Sequence, residues 1–171
     1  MKLGHFISLG LLLFSSAVWA LEETSPKKIE EVQQHRRQEV PYDVNQTLQS
    51  FTKTVHGGVQ HVVVKSGGDS RQIELIQDYL RKLVTDFRKG DFTETERIHG
   101  ADMSGLVQLK LAKTDDITYE FKALPDGAQI HYATEYPQYV QALHEWFDAQ
   151  MKEHGNAVVP EHMKHHKSTA E

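Results

Sequence analysis

Residues 117–134 read ITYEFKALPDGAQIHYAT. Tyr119 and Phe121 alternate along the first run, and Ile130 and Tyr132 alternate along the second. Pro125-Asp126-Gly127 stands between the runs and supplies turn chemistry. A period of two puts one set of side chains on a buried face, so the stretch predicts an antiparallel hairpin over Ile117–Leu124 and Ala128–Thr134. This hairpin anchors the reading of everything around it.

Downstream, Pro137 suits the first turn of a helix, because its missing N–H has no intrahelical partner there. Val140, Leu143, Phe147 and Met151 follow as an apolar stripe, and Gly155 marks the end. Upstream, Ser104–Lys113 predicts a short helix with Leu106, Leu109 and Leu111. Before it lies a long connection, Asp91–Gly105, in which Thr93 and Glu96 have capping spacing for one turn. Asp69–Gly90 is the clearest helix. Ile73, Ile76, Leu80, Leu83 and Phe87 recur at steps of three and four, Asp69 or Ser70 can cap the start, and Gly90 suits the left-handed residue past the end. Earlier still, Leu48–Val55 and Val59–Lys65 flank His56-Gly57-Gly58. They read either as a second hairpin or as one long strand with a glycine bulge.

The resulting order is ββα, a short helix, then ββα. It predicts an α+β fold in which a four-stranded antiparallel sheet carries its two main helices on one face, burying both apolar stripes. The two halves share a pattern without matching residue by residue.

The ends read differently from this centre. Met1-Lys2, the apolar run Phe6–Val18 and the Val18-Trp19-Ala20 cleavage signature predict a signal peptide over residues 1–20, removed near Ala20. The run is shorter than the ~20 residues of a spanning helix, and no cysteine follows it to carry a lipid. The expected address is the periplasm or beyond. Residues 21–44 are charged and read as a linker that need not pack, with a helix over Ile29–Gln38. Residues 45–155 form the expected α+β domain, and residues 156–171 a disordered histidine-rich tail.

Composition narrows the chemistry. The formal charge is −5, without the basic footprint of a nucleic-acid binder. With no cysteine, disulfides, thiolate metal sites and cysteine nucleophiles are excluded together. The chain has eleven histidines, of which only His5 lies in the leader. Imidazole without thiolate suits Cu(II), Zn(II) and Ni(II). The expected metal candidates are the loop residues His99, Asp102 and Met103; the strand-region residues His56, His61 and His131; His144 on the last helix; and His162, His165 and His166 in the tail. His56 and His61 bracket the Gly-Gly and would face each other across a tight hairpin. His144 and Asp148, at i and i+4, would share one helical face. Each set also has a plain structural reading, with Asp102 capping the next helix and the strand histidines on an ordinary polar surface. No His-Glu-x-x-His or Gly-x-Ser-x-Gly string occurs.

The strings Gly57-Gly58-Val59-Gln60, Ile98-His99-Gly100-Ala101-Asp102-Met103, Ile130-His131-Tyr132 and Leu143-His144-Glu145-Trp146-Phe147-Asp148-Ala149-Gln150 together resemble a family of small, uncharacterised bacterial proteins, many of them exported. The resemblance covers about Phe51 to Gly155. Some members are named carbamoyltransferases, but this chain is too short for that two-domain fold and lacks the Ser-Thr-Arg-Thr carbamoyl-phosphate loop. The resemblance therefore implies the domain limits and the interest of the His99–Met103 loop, and no activity. The leading expectation is an exported binding protein for a transition metal, copper or zinc. The alternatives are a non-catalytic module for a small ligand or protein partner, in which Tyr119, Tyr132 and Trp146 matter most, and a hydrolase or transferase using His99 and Asp102.

Overall fold

A computed structural model describes residues 25–65 and 69–154. The expected signal peptide, the tail and Gly155 lie outside the described residues.

The sheet comes first in the energetics. Strands β1 (Thr47–Thr54), β2 (Gly57–Val64), β3 (Thr118–Leu124) and β4 (Gly127–Ala133) are all antiparallel and lie in the order β1-β2-β4-β3. Both hairpins form. The Gly57-Gly58 pair belongs to the second strand, and Val55-His56 makes the turn. The central pairing sets Gln60 against Ile130 and Gly58 against Tyr132. Alternation then sends Gln49, Phe51, Gln60, Val62, Ile130 and Tyr132 inward, while His61, Gln129 and His131 go to the other face.

Among the described residues five helices accompany the sheet: α1 (Pro26–Glu39), α2 (Ser70–Phe87), α3 (Thr93–His99), α4 (Leu106–Leu109) and α5 (Pro137–His154), with one 3-10 turn at Val44–Gln46. As the sequence predicts, α2 and α5 share one face of the sheet: the Phe87 ring meets both Trp146 and Tyr132. α2 starts on the Asp69 carboxylate, which accepts the N–H of Gln72 at 3.1 Å. Gln72 does not close a capping box; its Oε1 accepts from the Asp43 N–H instead. α3 is not capped by Thr93, whose N–H is taken by Asp91 Oδ1 at 2.9 Å. Ile76, Leu80, Leu83 and Phe87 are buried from α2. On α5 the buried stripe runs through Ala142, Leu143, Trp146, Phe147 and Gln150, while Val140 and Met151 are only half-buried. Gly58 lets α5 approach closely, because a Cβ there would run into the Phe147 ring. No helix among the described residues is long and apolar enough to cross a membrane.

The expected linker over residues 21–44 is corrected over its described part. α1 is capped by Ser25, begins with Pro26, and packs on α3 and α5. Val32, Val40, Tyr42 and Val44 join the common core, and Arg36 is only 2% exposed. Three side-chain bonds pin the helix: Lys28 Nζ to the His99 carbonyl at 2.6 Å, Gln33 Nε2 to the His154 carbonyl at 2.8 Å, and Arg36 Nη2 to Gln49 Oε1 at 2.7 Å. The segment reads as polar because its anchoring is polar; little of it is apolar surface.

Candidate functional site

The expected metal candidates separate in space. His56 sits in the β1–β2 turn, exposed, with Glu135 Oε1 4.0 Å away. It does not face His61, whose cross-strand partner is Ser50. His61 lies on the outer sheet face with its Nε2 3.0 Å from Gln129 Oε1. His131 shares that face but pairs with Val59 and Glu120. His144 acts as a structural clasp. Its Nε2–H donates to both the Thr54 and Gly57 carbonyls at 3.0 Å, fastening α5 to the hairpin turn. Asp148 does not orient His144; it pairs with Lys53 at 2.6 Å. Among the described residues no three His, Asp or Glu side chains gather as a metal-binding group. The tail histidines His162, His165 and His166 lie outside the described residues.

The loop from His99 to Ser104 does come together at one place. His99, Asp102, Met103 and Ser104 line a groove of about 730 Å³ with Ser25, Lys28, Glu145, Asp148, Lys152 and Glu153. Met103 itself is 4% exposed and belongs to the core. Asp102 is exposed and does not cap α4, whose N-cap residue is Gly105. Gly105 adopts φ +78 where a Cβ would strike the Ala142 carbonyl, so the loop turns tightly against α5.

Behind the groove lies a second, interior space. It measures about 40 Å³ and is walled by Arg36 from α1, Gln49 and Gln60 from the sheet, Tyr79 and Phe87 from α2, Thr95 and His99 from α3, and Trp146, Gln150 and His154 from α5. His99 lines both spaces. A water needs ~10–15 Å³ on a comparable measure, so the interior holds roughly three waters or one small molecule.

The polar groups around this cavity are unusually dense for a protein core. Arg36, Gln49, Gln60, Thr95, His99, Gln150 and His154 are all at most 6% exposed. Most have partners. The Tyr132 hydroxyl donates to Gln60 Oε1 at 2.7 Å, and His154 Nε2–H donates to Gln150 Oε1 at 2.7 Å. His99 Nδ1–H donates to Glu153 Oε2, also at 2.7 Å. Three buried nitrogens have none: Arg36 Nη1, Trp146 Nε1 and His154 Nδ1. All three belong to side chains that line the cavity. A buried polar atom without a partner costs about 1–3 kcal/mol, and more when charged, so three around one space demand an explanation.

Burial also sets the charge states. It pushes the His154 imidazole well below its usual value, and the nearby positive charge of Arg36 and the His99 ring add to the effect. Burial lowers His99 as well, against the opposing hydrogen bond and charge of Glu153. Both rings are therefore neutral near pH 7. With Nε2–H given to Gln150, His154 presents a bare Nδ1 lone pair.

Sequence reasoning finds His99 and weighs Trp146, but misses Arg36, Gln49, Gln60, Gln150, Glu153 and His154 as site residues. A signal for Arg36 does exist. Ile29, Val32, Arg36 and Val40 fall at steps of three and four, so the arginine occupies a place on the packed stripe of α1.

No family model matches the chain, and no curated protein or solved structure does either.

Proposed function

We propose that the protein is an exported, non-catalytic binding module that takes a small ligand into the cavity between α1, α3, α5 and the sheet. The carrying observation is the set of three unpartnered buried nitrogens on side chains lining one cavity. Ligand pockets are mostly apolar with a few polar groups that fix orientation, and Phe87, Leu83 and Ile98 supply the apolar wall here. The apolar leader over residues 6–18 supports the exported address. The hydrolytic reading pairs His99 with Asp102, but Glu153 holds the His99 ring instead and Asp102 is exposed on the rim.

Trp146 makes the test direct, since Trp19 is the other tryptophan in the chain. In a Trp19→Phe protein, one indole N–H resonance reports on the cavity. Screening small charged and neutral compounds should find some that move this resonance saturably. The same compounds should fail in Thr95→Leu, which places extra carbon against the cavity wall. Equal shifts in both proteins, or no shift from any compound, would sink the reading.

A further inference from the structure

We propose, resting on that reading of the cavity, that its ligand is a small planar oxyanion of formate or nitrate size, taken up together with one proton that settles on His154 Nδ1. The first argument is charge. Arg36 is 2% exposed, and no carboxylate among the described residues lies at ion-pair distance from it. The carboxylates on the surrounding helices have other partners: Glu39 lies toward Arg97, Glu94 pairs with Lys82 and also reaches the Tyr79 hydroxyl on the cavity wall, and Glu153 holds His99. A guanidinium is a planar fork of donors that matches an oxyanion. One of its arms is committed to Gln49 Oε1, the guanidinium also lies against the Tyr42 hydroxyl, and Nη1 has no partner. Trp146 contributes a second donor, because an indole nitrogen can only donate.

The second argument is the proton. The groups around His154 are Arg36 from α1, His99 from α3, Gln150 from α5, and the Phe51 ring from β1. Tyr42 and Tyr79, on the far wall, are held neutral by burial, which raises both hydroxyls above the usual tyrosine value. With His99 and His154 neutral, the buried charges here are Arg36 on the cavity wall and Glu153, which lines the outer groove and holds His99, and they sum to zero. An anion entering alone would leave it negative, and burying a net charge is costly. An anion accompanied by a proton restores neutrality. His154 Nδ1 is the unpartnered basic atom that can accept it, becoming a third N–H donor toward the ligand. No covalent bond changes; one hydrogen ion leaves solvent as one anion does. The free cavity selects against protonation, and the occupied cavity selects for it, which is a reciprocal linkage between two ligands.

Size fits the same class. About 40 Å³ admits a three- or four-atom oxyanion and excludes a nucleotide or a sugar. His99 is the residue shared with the outer groove, whose lining carries Lys28 and Lys152 together with Asp102, Glu145, Asp148 and Glu153.

The experiment uses the full chain carrying Trp19→Phe, titrated with sodium formate, sodium nitrate and neutral formamide at pH 6, 7 and 8. Formate and nitrate should shift the Trp146 indole resonance, and formamide should not. Affinity should fall tenfold for each unit of rising pH. Calorimetry in two buffers of different ionisation enthalpy should return one proton taken up per anion. Nitrate stays unprotonated in water, so uptake with nitrate places the proton on the protein. His154→Gln should bind with no pH dependence, and Arg36→Met should not bind. Formamide binding as tightly as formate would overturn the oxyanion and leave the cavity reading standing. Anion binding with no proton uptake, or an equal response in Arg36→Met, would overturn the proposal. If Arg36→Met does not fold, the pH slope of the parent against His154→Gln decides alone. No response to either anion overturns this inference, while the wider compound screen still decides the cavity reading.

Discussion

Helices α2 and α5 lie on the same face of the same sheet and meet through Phe87 and Trp146, yet they bury opposite chemistry. The inward side of α2 is Ile76, Tyr79, Leu80, Leu83, Val84 and Phe87. α5 begins in the same way with Tyr139, Ala142 and Leu143, but its last two turns bury Gln150, Glu153 and His154. The polar end faces α1, which answers with Arg36 and Gln33. One half of the roof gains stability from apolar area, and the other half holds polar groups in fixed positions at a cost in stability. Cores tend to carry such costs where function needs them.

The contrast can be broken from either side, and the largest effect should come from α2. Leu80 is fully buried, so Leu80→Ala should destabilise by about 2–5 kcal/mol through lost transfer energy and a residual cavity. Urea unfolding would show it as a lower midpoint with unchanged slope. Arg36 should behave differently. Replacing it by an apolar chain of similar length removes a desolvation cost but leaves Gln49 Oε1 without its donor, so Arg36→Met should change stability by less than about 2 kcal/mol in buffer free of small oxyanions. A loss as large as that of Leu80→Ala would make Arg36 an ordinary structural residue.

Acid sharpens the comparison. His99 and His154 have folded values below the unfolded one, the latter well below. Above the unfolded value of ~6.5 both states are neutral and the two rings contribute no pH dependence. As the pH falls below ~6.5 the unfolded chain takes up protons first, so stability drops by up to ~1.4 kcal/mol per pH unit for each ring until the folded value is reached. His154→Gln should reduce that slope, read from melting curves between pH 7 and 5, and a saturating oxyanion should reduce it too. The smallest effect belongs to the outer sheet face. His61→Ala with His131→Ala should change stability by less than about 1 kcal/mol. If copper or zinc raises the melting temperature of the parent chain by linkage, the same rise should persist in this double variant and vanish when residues 156–171 are removed. A rise lost with His61 and His131 instead would put a metal site on the sheet.

Much of the fold was legible because its signals are local. The Tyr119/Phe121 and Ile130/Tyr132 alternation and the Ile76–Leu80–Leu83 spacing each declare a buried face within a few residues. The site was far less legible. His99 stands out because it sits in a glycine-rich loop, but Gln49, Gln60 and Gln150 look like ordinary surface glutamines in sequence. Gln60 and Gln49 are satisfied by Tyr132 and Arg36 on other elements, and Gln150 by His154 one turn on, and pattern reading has no term for buried polar pairs. The linker reading is corrected over residues 25–44 for a similar reason. Polarity usually reports solvent, but Arg36 and Gln33 report polar partners in the interior. The histidines were abundant in sequence, but their placement was not legible: the fold spreads His56, His61, His131 and His144 across a turn, the outer sheet face and a helix clasp.

The bond from Gln33 to the His154 carbonyl spans 121 residues. The cavity beside it takes one wall from the first described helix and another from the last. During synthesis, which runs from the N-terminus, Arg36 emerges early and lacks its cavity neighbours Trp146 and His154 until the final turn of α5 has been made and has docked. Occupancy of the cavity would therefore certify a finished molecule: a truncated or half-folded chain, however much of the sheet it had built, would carry no ligand.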